Sequence, residues 1–381
     1  MPVKKSQIIT EAKPHTIKKF ELINMYIKSW AQKLMLNRQC NGLIFIDCMC
    51  NSGVYKNQNG DTVYGTPVRV AKTLLDVART YPDKQVFIYL NDLNFARVEE
   101  LKKHLPEDER NFKIITSYVD AREFLENIGP QLNDSSHYHY FLLYDPYDAT
   151  IEWRVLLPFF RHWGEVMINH ALLDPIRAIG SAKSTTTKKK YENTYLEDFE
   201  KLIPYGSDKN AYEKRVEEII NYMKGNRRYF VASFPFYNTK NSLMYDLIHC
   251  TSNIVGFKLY KYCAWKVFGG QSSTKRANDG YVQMQLNFSD DGLGITVPTD
   301  DSCYGVHDIA KYLQKSFSGR TNVPLEEIWS ALDYHPVFPS DGFRDEIKND
   351  LKQYYGAHTG TTINPLSGKK QQVISFANFV E

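Results

Sequence analysis

Cysteine is scarce and scattered, with six in 381 residues, at positions 40, 48, 50, 250, 263 and 303. That is too few for a disulfide framework in a chain this long. No second cysteine or histidine pair stands at zinc spacing, so all six are expected as reduced thiols in a cytoplasmic protein. His137 and His139 form an HxH that lacks a third ligand, and no metal site is expected there. Net charge is almost absent, at +3, so a nucleic-acid-binding face would have to be a local patch. No apolar run approaches the roughly 18 residues of a membrane span. The lysines of the first twenty residues have no apolar segment behind them, so neither a membrane anchor nor a signal peptide is expected. Two phosphate-binding signatures are missing as well. Without GxGxxG a standard dinucleotide site is excluded, and without GxxxxGK[ST] a P-loop is excluded.

What is present is an enzyme-sized chain with 43% apolar and 14% aromatic residues. Residues 15–36 carry apolar side chains at helical spacing and predict an amphipathic helix. Strands and helices then alternate: GLIFID, a helix begun by Thr66-Pro67, QVFIYLND, FARVEELKKHL, FKIITSY, AREFLENI, YHYFLLYDPY, WRVLLPFFRHW broken near Pro158, and EVMINH. The strands are continuous apolar runs rather than alternating ones. They predict a parallel sheet covered on both faces, a doubly wound Rossmann-like α/β domain over residues 1–300. Further on, SAKSTTTKKK (181–190) reads as a solvated loop or, in a functional reading, a mobile basic loop near a phosphate-bearing substrate, and YEKRVEEIINYMK as a helix. RRYFVASFPF and IVGFKLYKYCAWKVF read as strands flanking a helix around NSLMYDLIHCTS. GGQSSTKRANDG reads as a candidate lid, and YVQMQLNFS as a strand. Residues 301–381 change character: three short helices and a β-hairpin, the order of a winged-helix-like α+β domain.

The chemistry lies at the strand ends. Asp47, Asp92, Asp120 and Asp145 follow four successive strands, and in a parallel sheet those ends line one crevice. Asp92 is placed to accept hydrogen bonds from ribose hydroxyls, and Asp120, with Ala121 beside it, to take an adenine amino group. Leu93 flanks Asp92. The loop of Cys50, Asn51, Ser52 and Gly53 would let a cofactor approach the backbone, and Asn51 tolerates the left-handed φ that a glycine would otherwise supply. An acid, a small-residue loop and an acid at the second strand point to S-adenosyl-L-methionine. The segment YDPY (144–147) is a partial match to the motif of amino-group methyltransferases, in which an acid accepts from the target NH2 and the aromatic stacks on a flat base. Asp145, Pro146 and Tyr147 are therefore the catalytic candidates. Cys48 and Cys50 as nucleophiles are the weaker alternative.

FIDCMCNSGVY, YGTP (64–67), NDLN (91–94), YDPYDATIEW (144–153) and MINHALLDPIR (167–177) resemble the three-Cys-motif partner family over roughly residues 12–290. Its pattern is D-x-F-A-G-x-G, G-S-P, an acid at the second strand, D-P-[FY]-G and an N…R pair. Here Met49, Cys50 and Asn51 replace Phe-Ala-Gly, Thr66 replaces Ser, and Asp148 replaces the last Gly. The resemblance implies a methyltransferase-like fold, a partner of the phage-type three-cysteine kind, and substrate contacts at Asn169 and Arg177. The leading expectation is a methyltransferase acting on nucleic acid or a nucleobase-like amino group with that partner. The alternative is a non-catalytic or partner-dependent binding module on the same fold. A third reading, a nucleic-acid-binding regulator, would need a basic recognition helix. Residues 341–355 instead carry Arg344, Lys348 and Lys352 against Asp341, Asp345, Glu346 and Asp350, which argues against tight autonomous DNA binding.

Overall fold

The structure is a computed structural model and describes residues 8–132, 136–146, 150–171, 184–196, 221, 229–276 and 303–379. Elements are numbered over those residues. Strand β1 (Thr10–Glu11) leads into α1 (Pro14–Met35), opened by a proline at its first turn. The apolar face of α1, with Leu22, Ile23, Tyr26, Ile27 and Trp30, is buried. Next come β2 (Gly42–Asp47), β3 (Val54–Lys56), β4 (Thr62–Tyr64), α2 (Thr66–Thr80), β5 (Gln85–Asn91), α3 (Phe95–Lys102), β6 (Phe112–Ser117), α4 (Ala121–Ile128) and β7 (Tyr138–Tyr144). Helix α5 (Trp153–Leu156) breaks at Pro158 as expected, into a single 3-10 turn over Leu157–Phe159, and β8 (Gly164–Ala171) follows.

The main sheet has seven strands in the order β6-β5-β2-β7-β8-β10-β9, where β9 is Phe230–Tyr237 and β10 is Leu243–Thr251. From β6 to β8 all neighbours are parallel. Strand β10 runs antiparallel to both β8 and β9, so the sheet is mixed rather than wholly parallel. Successive connections step outward from β2 to β5 and β6, then return to the other side of β2 for β7 and β8. The order thus reverses between β2 and β7, and that is where an open α/β sheet forms its ligand crevice.

The structure exchanges two of the predicted elements. Residues expected as a helix form β10, and residues expected as a strand form α7 (Ile254–Val267). One buried stripe of α7, Gly256 and Phe257, Tyr260, Cys263 and Ala264, and Val267, has helical spacing, while Leu259, Lys261 and Trp265 bury a further face against neighbouring elements. Asn253 caps this helix, accepting from Val255 N at 2.9 Å. Its aromatic residues suggest a strand locally, yet the period is 3.6. Strand β10 is buried on both faces, so it shows no alternation to read.

Two expected loops are also ordered differently. Within 181–190, residues from Thr185 onward belong to α6 (Thr185–Tyr195). Tertiary bonds hold that helix in place: Ile151 N donates to Thr194 Oγ1 at 3.1 Å, and Trp153 Nε1 to Thr194 O at 2.9 Å. The described part of the 269–280 segment is pinned rather than lid-like. Ser272 and Ser273 are buried, Gln271 bridges to Gly305, and Tyr237 N donates to Thr274 Oγ1 at 2.7 Å. The expected elements at YEKRVEEIINYMK and YVQMQLNFS lie outside the described residues, save Asn221, and so does the 300/301 boundary.

The C-terminal unit comprises α8 (Val306–Ser316), β11 (Val323–Pro324), α9 (Leu325–Ser330), α10 (Arg344–Tyr355), β12 (His358–Ile363) and β13 (Lys370–Ser375). The three strands pair antiparallel in the order β11-β13-β12. One apolar core runs from the α/β sheet through α7 into this unit. Trp265 Nε1 donates to Val337 O at 2.9 Å. Lys261, fully buried, donates from Nζ to the carbonyls of Leu332, Asp333 and His335 at 2.9, 3.1 and 2.7 Å.

Candidate functional site

Asp47 ends β2 and Asp145 follows β7, so these two acids flank the point where the strand order reverses. Asp47 is buried. Burial, and then the charge of Asp145, push its carboxyl up to about 8, against the pull of the Met49 N–H and Lys19.

The loop after β2 is held from the second strand end. Asn51 N donates to Asp92 Oδ2 at 3.0 Å, and Asn94 N to Asp92 Oδ1 at 2.9 Å. Arg97 approaches the same carboxylate at 3.8 Å. Asn51 takes the left-handed conformation anticipated for it, at φ 57°. Gly53 is also left-handed, at φ 65°, and a Cβ there would lie 2.5 Å from Leu101 Cδ1. The side chains of Cys50 and Ser52 turn inward. Ser52 Oγ donates to Val54 O at 3.0 Å, and burial and Asp47 hold the Cys48 and Cys50 thiols well above their usual pKa. Both thiols are buried, although Cys48 borders the cleft described next, and a raised pKa works against the cysteine-nucleophile alternative.

A cleft of about 300 Å³ opens beside this loop. Its lining includes Asp92, Leu93, Asp120, Ala121, Tyr144 and Pro146. Of the expected site residues it thus gathers Asp92, Leu93, Asp120, Ala121 and Pro146. Asp120 is exposed and caps α4, accepting from Arg122 N at 2.9 Å. Asp47, Cys50, Ser52, Gly53, Asp145 and Asn169 do not line the cleft. Tyr147 and Arg177 lie outside the described residues. Met49, Glu152 and Lys190 also line it and were not anticipated. Lys190 belongs to the segment read as a solvated loop or, in the functional alternative, a mobile basic loop; it stands instead on α6.

Asp145 is not free. Lys19 Nζ donates to its Oδ2 at 2.6 Å, and Asn169 Nδ2 to its Oδ1 at 2.6 Å. Lys19 projects from α1, with its side chain only 8% exposed, and lies 5.2 Å from the centre of the Tyr245 ring. Tyr245 in turn donates to His15 O at 3.0 Å. Asn169 Oδ1 is buried and, among the described residues, has no hydrogen-bond partner. Sequence reasoning missed Lys19, although a signal existed. It falls on the apolar stripe of α1, three and four residues before Leu22 and Ile23, where a lysine needs a buried partner.

No family model matches the chain, and no curated protein matches it. Among solved structures, the O-methyltransferase TomG of Streptomyces achromogenes, solved with SAM, is 12% identical, with a TM-score of 0.30 over 64% of this chain and 92% of that one. Human N-acetylserotonin methyltransferase, also solved with SAM, is 11% identical, with a TM-score of 0.24 over 62% of this chain and 56% of that one. These are distant likenesses of an α/β fold. Six free cysteines are present, and among the described residues no helix is long and apolar enough to cross a membrane.

Proposed function

We propose that the chain is an S-adenosylmethionine-dependent methyltransferase that acts on nucleic acid together with a protein partner of the three-cysteine kind. One observation carries the reading. A cleft at the carboxyl ends of the strands joins Asp92, clamped to the loop after β2, to Asp120 and Ala121, next to the point where the strand order reverses.

The donor set supports an adenosine-bearing cofactor. Asp92 orders the loop after β2 through Asn51 N, and its carboxylate at the end of the second parallel strand is the group that the ribose hydroxyls would meet. Leu93, Ala121, Leu125 and Val155 supply apolar walls for a flat ring, and Asp120 an exposed acceptor for its amino group. When bound, that cofactor supplies an electrophilic methyl group. The protein's part is alignment of the acceptor. In this reading residues 303–379 form a winged-helix-like unit that packs on the catalytic domain and a partner.

A second reading, a binding module that keeps the fold, is favoured by one specific fact: both oxygens of Asp145 are already taken. Calorimetry with S-adenosylhomocysteine, on the protein alone and with its partner, tests the cofactor. Binding is expected, and no heat from the folded protein in either form would overturn both readings of the cleft. Mass spectrometry of nucleosides exposed to the protein and S-adenosylmethionine then separates enzyme from binder.

A further inference from the structure

We propose that the mouth of the cleft is a surface for single-stranded nucleic acid. Its bases stack on an exposed platform of Leu93, Phe95 and Tyr118, and its phosphates meet Lys189 and Lys190 on the opposite rim. This rests on the methyl-transfer reading above and names the form of nucleic acid that the same cleft would take.

One rim is apolar and aromatic. Leu93 follows β5 and lines the cleft, and Phe95 opens α3 just beyond it. Tyr118 follows β6, shortly before Asp120, which also lines the cleft. The three residues are 70%, 55% and 57% exposed. The rings of Phe95 and Tyr118 meet edge to face, 5.1 Å apart at 81°, so they brace each other while their outer surfaces stay open. Three large apolar side chains kept in water at the edge of a cleft mark a contact surface. A duplex hides its base faces inside its own stack. A single strand presents them, and every base has a face that an aromatic ring can take.

The other rim is basic. Helix α6 carries Lys188, Lys189 and Lys190 against a single acid, Glu192. Lys190 lines the cleft, and Lys189 and Lys190 are both exposed. The bonds of Thr194 to residues 151 and 153 fix the helix there, so an anchored element carries the charge. The two rims stand over different strands. The platform follows β5 and β6, while the anchor of α6 lies beyond β7, three steps along the sheet from β6. At about 4.8 Å per strand the mouth is roughly 15 Å wide, which about four stacked nucleotides span at about 3.4 Å a step. Asp92, Asp120 and Glu152 line the cleft between the rims and repel phosphate. A strand therefore crosses the mouth and leaves the floor to the proposed cofactor. An aromatic platform or a lysine run alone suits many partners. The two together, a few nucleotides apart, are the combination that a single strand uses.

The test is fluorescence anisotropy of the full chain with three labelled probes of one mixed sequence, each about 12 nucleotides long: an RNA strand, a DNA strand and the DNA duplex. Both single strands are expected to bind more tightly than the duplex, and the tighter of the two identifies the polymer. The double variant Phe95→Ala/Tyr118→Ala should weaken single-strand binding about 10-fold or more, the scale of one lost base stack. Lys189→Gln and Lys190→Gln should each lower the slope of log affinity against log salt by about 0.7, the share of one phosphate contact. Phe95, Tyr118 and Lys189 lie outside the cleft lining. Their variants should therefore melt with wild type and bind S-adenosylhomocysteine within about twofold of it, which separates a lost contact from lost folding. A duplex bound as tightly as the single strands would overturn the inference. So would a salt slope that neither lysine change moves, or an aromatic variant that binds the strands like wild type, which would leave the platform to a protein partner. A wild type that binds S-adenosylhomocysteine and no strand would overturn it while the cofactor reading stands. A wild type that binds the strands as described and no S-adenosylhomocysteine would uphold the surface and bring down the methyl-transfer reading.

Discussion

Replacing Lys261 by methionine isolates the clasp between the α/β sheet and the C-terminal unit. Methionine keeps most of the aliphatic volume and removes every donor. Exchanging a buried charge for an apolar group is often neutral or stabilising, because the charge's own desolvation cost disappears with it. Here the opposing cost is larger. The three acceptors are backbone carbonyls that stay in place, at 2.7–3.1 Å from the lost nitrogen. At roughly 1 kcal/mol for each acceptor stripped of its donor, Lys261→Met should destabilise the protein by about 3 kcal/mol near pH 7. The dependence on pH has a definite sign. Burial lowers the Lys261 pKa from 10.5 to about 7. Between those values the unfolded chain binds a proton that the folded chain does not, so the wild type gains stability as pH rises, by up to about 1.4 kcal/mol per pH unit. Methionine has no such gain, so the gap between the two proteins should widen from pH 7 to pH 9. Urea unfolding followed by tryptophan fluorescence reports on the interface through Trp265 and Trp329. A variant as stable as wild type at pH 7, with a gap that stays flat to pH 9, would refute the clasp.

Asp92→Ala should weaken S-adenosylhomocysteine binding by about 1.5–3 kcal/mol in calorimetry, because it removes the ribose acceptor together with the clamp on Asn51. Burial pushes the fully buried Asp246 up to about 8. The native state then binds the extra proton between pH 4 and 8 and loses stability as pH rises through that window, so Asp246→Asn should melt progressively higher than wild type from pH 5 to pH 8. On α10, Lys348 and Arg344 are paired with Asp345 and Asp341 at 2.6 and 3.0 Å. Reversing Lys369 and Lys370 to glutamate in the full chain should therefore leave sequence-specific nucleic-acid binding unchanged and reduce only a weak, salt-sensitive component, read by anisotropy at two salt concentrations.

What could be read in advance was whatever is encoded locally. Helix α1 shows its apolar stripe, α2 its Thr-Pro start, and the strands β2, β5, β6, β7 and β8 their apolar runs, so these elements and the acids at their ends were legible. The β3–β4 hairpin carried a local signal that went unread, Asn59-Gly60 between two short runs. Other features depend on partners far away in the chain. Strand β10 is a strand because β8 and β9 flank it, and Asp246 and His249 mask its apolar character. Helix α6 is positioned by Thr194 against residues 151 and 153, which no window around SAKSTTTKKK contains. The pairing of Lys19 with Asp145 spans 126 residues. Asp145 itself could be picked out from the sequence, but its state could not.

The bond from Tyr245 to the carbonyl of His15 joins residues 230 apart, and a second, from Lys18 to Val267, joins residues 249 apart. They tie the first helix of the chain to the late strand β10 and to the end of α7. During synthesis at about 5–20 residues per second, α1 leaves the ribosome and then waits some 10–50 s for the segments that will hold it. Over that interval α1 can rest on α2, to which Asn24 is bonded through Thr73, but its bonds to the late elements are not yet made and the Tyr245 ring beside Lys19 is absent. The Lys19–Asp145 corner therefore cannot mature fully from the N-terminus onward. It is completed only when the far end of the sheet has arrived and contacts of high sequence separation have closed, the slow class of folding event. A nascent chain released before β10 would possess every acid of the cleft and still lack the frame that orients Asp145.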